Sequence, residues 1–502
     1  MEISFKNQKQ SFFKFIVNER SNRRYLVIAL LGCLLQFIFF KLLYPYADFF
    51  SDSYSYIFAA SKKLDVNIWP IGYSKLLWIF HSLMESDTAL VAFQYFFLMF
   101  ALLAFYFTLL YFYQPSIIVT RMVFIFLFFN PLFLYLSNYI SSDPLFIGIS
   151  VLWMTQLLWI VYQPKGYQIW IHAFLLLVAF TFRYNALYYP IVGAVAYGIS
   201  NRRLSFKLAG ITSGVAVIVF FMLYTSQKNK ELTGIYQFSI FGGWQLANNA
   251  LYMYPHLQID RAKIPNNCRK LDNLTREYFD SIPTGMKGIS PIMGAIFIQY
   301  EAAPLKQYVN KYSAWRSDTL GGIQSWGEVA PVFGMFGKYL IREHPIAYAK
   351  HFLVPNAMNY FVPPLEKLEM YNLGADRVYP IAANWFGYKT TSVKSISKDL
   401  QGILLYLFPV FFTVLNLYFA GCSVFLLLLG GRRRLSGSFL HGLTLIGLFL
   451  LVNFAFSVLA SPIVFRYQVF PMIVFFTFSL LTTDLLINSG YFKLTTKIGS
   501  RI

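Results

Sequence analysis

The sequence predicts an all-α polytopic membrane protein with about 10 transmembrane helices, on the strength of composition, apolar run length and charge placement. The chain of 502 residues is 57% hydrophobic and 20% aromatic, and only 13% of it is charged. Soluble domains are roughly half apolar and about a quarter charged, so this composition belongs in lipid. The net charge of +20 would suggest nucleic acid for a soluble chain. Here the basic residues gather in the turns between apolar runs, so the charge reads as a topology signal and no nucleic-acid partner is expected.

Spans of roughly 20 mainly apolar residues are expected at 25–44, 88–113, 117–136, 144–162, 168–182, 186–200, 206–226, 402–430, 439–460 and 468–488. The runs 168–182 and 186–200 are short; they are two tilted spans or a re-entrant hairpin, and either choice leaves the remaining topology unchanged. Six Lys/Arg precede the first apolar run, and no small-residue cleavage site follows it, so it reads as a retained span and not a signal peptide. Cys33, Cys268 and Cys422 are too far apart to suggest a disulfide or metal framework.

Charge then sets the sides. The basic N-terminus, QPKGY (163–167), NRRLSFK (201–207), GGRRRLSG (430–437) and the tail after 490 share one face, expected to be cytoplasmic. The other face receives the loop 45–87, SNYISSD (137–143), RYN (183–185), the segment 228–400 and SPIVFRYQ (461–468). The expected organisation is an N-terminal transmembrane module (1–227), a large, mainly helical extracytoplasmic segment (228–400) between spans seven and eight, and a C-terminal transmembrane module (401–502). A segment as long as 228–400 is not an idle loop. Its aromatic runs suit amphipathic pieces lying on the membrane lipid.

Four motifs converge on the outer face: the acid-bearing loop DFFSDSYSYIFAASKKL with Asp48 and Asp52, SSDPLF with Asp143, FRYNALYYP with Arg183, and FRYQVFP with Arg466. Each has a bland reading. Asp52 would be a helix cap and Asp48 a solvated loop acid. Asp143, before a proline at the start of a span, taken alone favours a capping role. Arg183 and Arg466 would snorkel to headgroups. Ionisable residues at a membrane boundary are nevertheless costly and usually paired or functional, and here two acids and two arginines face the same boundary. Together they suit the transfer of a sugar from a lipid phosphate to a hydroxyl. That chemistry needs a carboxylate to accept the hydroxyl proton and cations to hold the phosphate as leaving-group charge develops. Arginine suits phosphate by its planar fork and permanent charge.

The order of these features resembles the GT-C superfamily of integral-membrane glycosyltransferases, which includes protein O-mannosyltransferases and the lipid A aminoarabinose transferase. The resemblance covers most of 20–230 and the last 60 or so residues. Asp52, Tyr56 and Ala60 match a D-x-x-x-Y-x-x-x-A helix in the first outer loop, followed by the P-x-G-Y turn Pro70–Tyr73; Asp143, Arg183–Asn185 and Arg466–Pro471 match later motifs. The resemblance implies an inverting enzyme that uses a polyprenyl-phosphate-linked sugar outside the cytoplasm, with Asp52 as base and Arg466 and Arg183 on the lipid phosphate. Asp48, Tyr56, Asp143, Arg183, Tyr184, Arg466 and Tyr467 are the candidate substrate-binding residues, and Asp48 competes with Asp52 as base. The acceptor is a hydroxyl-bearing glycan, lipid or protein. The segment 228–400 departs from relatives that carry their soluble domain at the C-terminus. The expected location is a bacterial inner membrane, with both termini cytoplasmic.

Three alternatives stand beside this reading. An O-antigen polymerase or ligase shares the spans and large outer loop but relies mainly on loop arginines. A transporter or lipid flippase would place charges near the bilayer midplane and often repeats its halves, and no repeat is visible. The expected enzyme needs no cofactor; a divalent metal held by Asp48, Asp52 and Asp143 is the alternative, set below the metal-free reading. His344 and His351 lack the spacing of a zinc site. Trp326 suits sugar stacking, although interfacial aromatic belts are commoner.

Overall fold

Lipid offers no hydrogen-bond partner to a backbone, so each apolar run closes its own N–H and C=O groups as a helix. The computed structural model describes residues 10–282, 289–315, 320, 322–428 and 437–488. The basic residues expected before residue 10 and after 490, and those of GGRRRLSG, lie outside the described residues. Among the described residues, eight helices are long and apolar enough to cross a membrane: Arg20–Leu43, Asp87–Tyr113, Ile117–Asn138, Asp143–Tyr162, Leu204–Thr233, Leu400–Leu426, Phe439–Ala460 and Phe465–Ile487. The chain is thus an all-α polytopic membrane protein, and among the described residues β-pairing is confined to two isolated bridges.

The count of about ten spans is not reached by length alone. Gln168–Phe182 and Tyr189–Ile199 have 15 and 11 residues, short of a full crossing. A 3₁₀ turn, Tyr184–Tyr188, joins them, and both pack along Leu204–Thr233. The expected span 117–136 is broken into Ile117–Phe128 and Pro131–Asn138. Proline lacks the N–H that would continue the helix, and Asn130 caps the second piece by accepting from the Leu132 N–H at 3.0 Å.

Two hydrophobic clusters organise the rest. The larger runs through the spans and includes Tyr44, Leu98, Trp153, Tyr189, Phe449 and Phe478. The second is built within 228–400 around Trp244, Phe297, Phe333, Phe336 and Phe352. Its centre is the pair Ile240–Leu251 and Ile323–Glu343, pressed so close that a Cβ on Gly337 would come within 2.7 Å of the Leu246 backbone. The segment 228–400 divides its packing, because Tyr360, Leu365, Tyr371, Val378 and Val393 join the larger cluster instead.

That division places the later part of the segment over the first loop. Asp48 pairs with Tyr139 as an isolated bridge: its N–H donates to Asn138 O at 2.9 Å, and the Ile140 N–H donates to Asp48 O at 3.0 Å. The Asn372 N–H donates to Asp48 Oδ1 at 2.8 Å, and the Tyr371 hydroxyl donates to Ala47 O at 3.0 Å. Three stretches that are remote in sequence are thereby stacked at one end of the helices.

Candidate functional site

A cavity of about 980 Å³ opens at that end, between the two clusters. Asp52 enters it from the first turn of the helix Ser51–Ser61. Ser53 Oγ accepts from the Phe50 N–H at 3.1 Å and closes the helix start, so the Asp52 carboxylate is not spent on capping. One turn on, Tyr56 is buried and its hydroxyl lies 3.2 Å from Ser142 Oγ. Burial pushes the Tyr56 phenol up to about 12, with the Asp52 charge adding to the effect. Below it Pro70 reaches the cavity wall, and Gly72 starts the next helix. A Cβ on Gly72 would fall 2.7 Å from Thr181 O, so the P-x-G-Y turn needs glycine to lie against Gln168–Phe182.

Asp143 stands at the start of its span, as expected, but it is not a cap. Its neighbour Ser142 holds the N-cap position without a side-chain cap bond. The Asp143 carboxylate is buried between two arginines. Arg183 Nη1 contacts Oδ1, and Arg466 Nη1 lies 3.0 Å from Oδ2. Neither arginine snorkels outward. Their guanidinium groups lie over the Tyr467 ring, Arg183 at 4.4 Å and Arg466 at 4.7 Å from its centroid. Arg466 Nη2 also donates to the Tyr467 hydroxyl at 3.0 Å and faces Asp52 Oδ2 at 3.9 Å.

Two further residues of the cluster, Glu366 and Lys367, carry no motif in the sequence. Glu366 Oε2 lies 3.5 Å from Arg466 Nε as an ion pair, and both atoms are buried without a hydrogen bond. Lys367 Nζ lies 3.4 Å from Asp52 Oδ2 and over the Phe50 ring at 4.4 Å from its centroid. Both come from VPPLEKLEMYN, which reads equally well as a charged surface turn. Glu366 has φ of 54°, the left-handed region that a non-glycine residue seldom occupies. The turn is held by its surroundings: the Tyr139 hydroxyl donates to Lys367 O at 2.5 Å and Gln401 Nε2 to Leu368 O at 3.0 Å. Strain sustained in this way is commonest at functional sites.

Of the candidate residues, Asp52, Tyr56, Asp143, Arg183, Tyr184, Arg466 and Tyr467 all line the cavity. Asp48 does not. It is wholly buried behind the first loop, and Oδ2 has no hydrogen-bond partner. Burial raises its carboxyl to about 8, with the Asn372 N–H opposing in part. Asp48 is a clamp joining the first loop to 371–372, outside the cavity that Asp52 enters. The three aspartates of the metal alternative are not brought together: Asp48 lies elsewhere and both oxygens of Asp143 face arginines. No group of three or more His, Cys, Asp or Glu is placed to hold an ion among the described residues. His351 lies away from this cluster, stacked on His256 with ring centroids 3.9 Å apart.

Three carboxylates (Asp52, Asp143, Glu366) and three cations (Arg183, Lys367, Arg466) thus meet in one half-enclosed cavity, with their charges balanced. Asp143 is committed to both arginines and orients them. Asp52 has the longer contacts to Lys367 and Arg466, with the Ser51 hydroxyl donating to Oδ1 at 3.3 Å, so unlike Asp143 it is not gripped by two arginines. Comparisons with family models, curated proteins and solved structures give no match to this chain.

Proposed function

We propose that the chain is an inverting glycosyltransferase that moves a sugar from a polyprenyl-phosphate donor to a hydroxyl acceptor on the extracytoplasmic face of the membrane. One observation carries the reading: Arg183, Arg466 and Lys367 converge beside Asp52 in a cavity at the ends of apolar helices. A lipid phosphate brings negative charge to such a place from the bilayer, and arginine forks match its oxygens. When phosphate binds, Lys367 and Arg466 turn toward it and release the Asp52 carboxylate.

The chemistry then balances without a covalent enzyme intermediate. The acceptor oxygen forms a bond to the sugar C1 from the face opposite the phosphate. Its proton passes to Asp52, and the C1–O bond to phosphate breaks with the electron pair leaving on phosphate oxygen. Asp52 acts as general base. Arg183, Arg466 and Lys367 stabilise the charge that grows on the leaving group. Asp143 holds the two arginines in register.

The anomeric configuration of the product tests this reaction. Purified protein given a polyprenyl-phosphate sugar and an acceptor should yield the anomer opposite to the donor by proton NMR. Retained configuration would rule out the single displacement, and movement of the lipid across liposomes without sugar transfer would favour the flippase reading.

A further inference from the structure

The charged cluster occupies only one wall of the cavity. The opposite wall, from the second hydrophobic cluster and the end of the first loop, has different chemistry: Trp69, Phe241, Gln245, Asn249, Lys306 and Trp326. At about 980 Å³ the cavity is at the upper end of the roughly 300–1,000 Å³ range of single-ligand pockets, so a donor headgroup on the charged wall leaves room for a second substrate.

Resting on the glycosyltransferase reading, we propose that this wall is the acceptor subsite and that the acceptor is a saccharide. Trp69 and Phe241 are tilted together at 4.6 Å between centroids, and both are only partly buried. One face of Trp326 is stacked on Trp244 at 3.9 Å; the other carries the Lys306 ammonium, 5.1 Å from the centroid. Among the described residues Lys306 is otherwise opposed only by the exposed Glu301 at 3.7 Å, so it can slide to the ring edge and leave the face to the C–H side of a sugar. Beside the rings, Gln245 Nε2 donates to Asn249 Oδ1 at 2.7 Å and Asn249 Nδ2 donates to Ala460 O at 3.1 Å. This fixes both amides and leaves Gln245 Oε1 to accept from a hydroxyl. A further amide, Gln468, lines the cavity fully buried with neither side-chain atom partnered. Aromatic faces with fixed amides suit a ring that is apolar on its faces and hydroxylated at its edge. A lipid tail would leave Gln245 Oε1 and the Gln468 amide unpaired, which is costly.

Intrinsic tryptophan fluorescence in detergent, titrated with a panel of gluco-, galacto- and manno-disaccharides and with a serine-containing hexapeptide, tests the subsite without any donor. At least one disaccharide should quench saturably and the peptide should not. Gln245→Ala and Trp69→Ala should each weaken that binding by about tenfold, while Trp326→Phe, which keeps the stack on Trp244, should retain most of it. Affinity for polyprenyl phosphate, measured in parallel, should be unchanged in all three variants. No saturable binding of any disaccharide, or peptide binding in its place, overturns the proposal. Disaccharide binding without polyprenyl-phosphate binding would instead leave the subsite standing and defeat the donor reading.

Discussion

Lys367 and Asp52, 315 residues apart in the chain, meet with Nζ 3.4 Å from Oδ2 inside the cavity. The contact joins the two parts of the chain that matter most to the proposed reaction, the first loop and the end of the long segment 228–400. It is also the weaker kind of pairing, long and single, whereas Asp143 is gripped by two arginines. A lysine held so loosely is available to an arriving phosphate.

Lys367→Met should therefore weaken binding of polyprenyl phosphate by tenfold or more, about 1.5 kcal/mol for a charged hydrogen bond, with turnover at saturating donor reduced far less. Equilibrium binding and steady-state kinetics separate the two. Unchanged affinity would mean that Lys367 serves only to neutralise Asp52.

Removing the shared carboxylate should cost stability before it costs chemistry. Asp143→Asn leaves Arg183 and Arg466 without their buried partner, a change expected to destabilise by about 3 kcal/mol. Thermal unfolding in detergent checks this, and added polyprenyl phosphate should restore part of the loss, because its anion replaces the missing charge and binds only the folded state. A variant as stable as wild type would remove Asp143 from the role of holding the arginines.

Asp48 gives a pH dependence whose sign follows from its burial. Its folded-state value is raised to about 8, above the unfolded value of about 3.9. Between those values the folded chain holds a proton that the unfolded chain has released. Stability from this group is complete at low pH and falls as pH rises toward 8, by about 1.4 kcal/mol per unit. Asp48→Asn should abolish that slope between pH 5 and 8 (roughly the window between the two values). Thermal midpoints of both proteins across this window are the measurement; parallel curves would mean that Asp48 is ionised in the fold.

Transfer activity should survive chelation. The acids that would have formed a metal cluster are separated by the clamp role of Asp48 and the arginine pairing of Asp143. A loss of activity in chelator that a divalent ion restores would show that this account misassigns the phosphate's counter-charge.

Much of the site was legible because motif order and sidedness are topological facts. Asp52, Asp143, Arg183 and Arg466 each adjoin an apolar run whose direction follows from counting spans, so their common end could be read without any contact. What could not be read depends on packing. Asp48 and Asp52 are four residues apart and look alike in sequence, yet one is sealed behind Tyr371 and Asn372 and the other opens into the cavity. Glu366 and Lys367 were hidden because only the fold shows that 353–400 leaves the second cluster and lies across the first loop. The two short helices after Lys165 were ambiguous by length in the sequence and are still short in the fold.

The most direct measurement is transfer of label from a set of polyprenyl-phosphate sugars by purified wild type, Asp48→Asn and Asp52→Asn in parallel, with lipid binding monitored in each. Wild type and Asp48→Asn should turn over alike, and Asp52→Asn should lose at least about a hundredfold in rate while still binding lipid. Equal turnover by all three would contradict the account, since the carboxylate proposed as base would then not be accepting the proton.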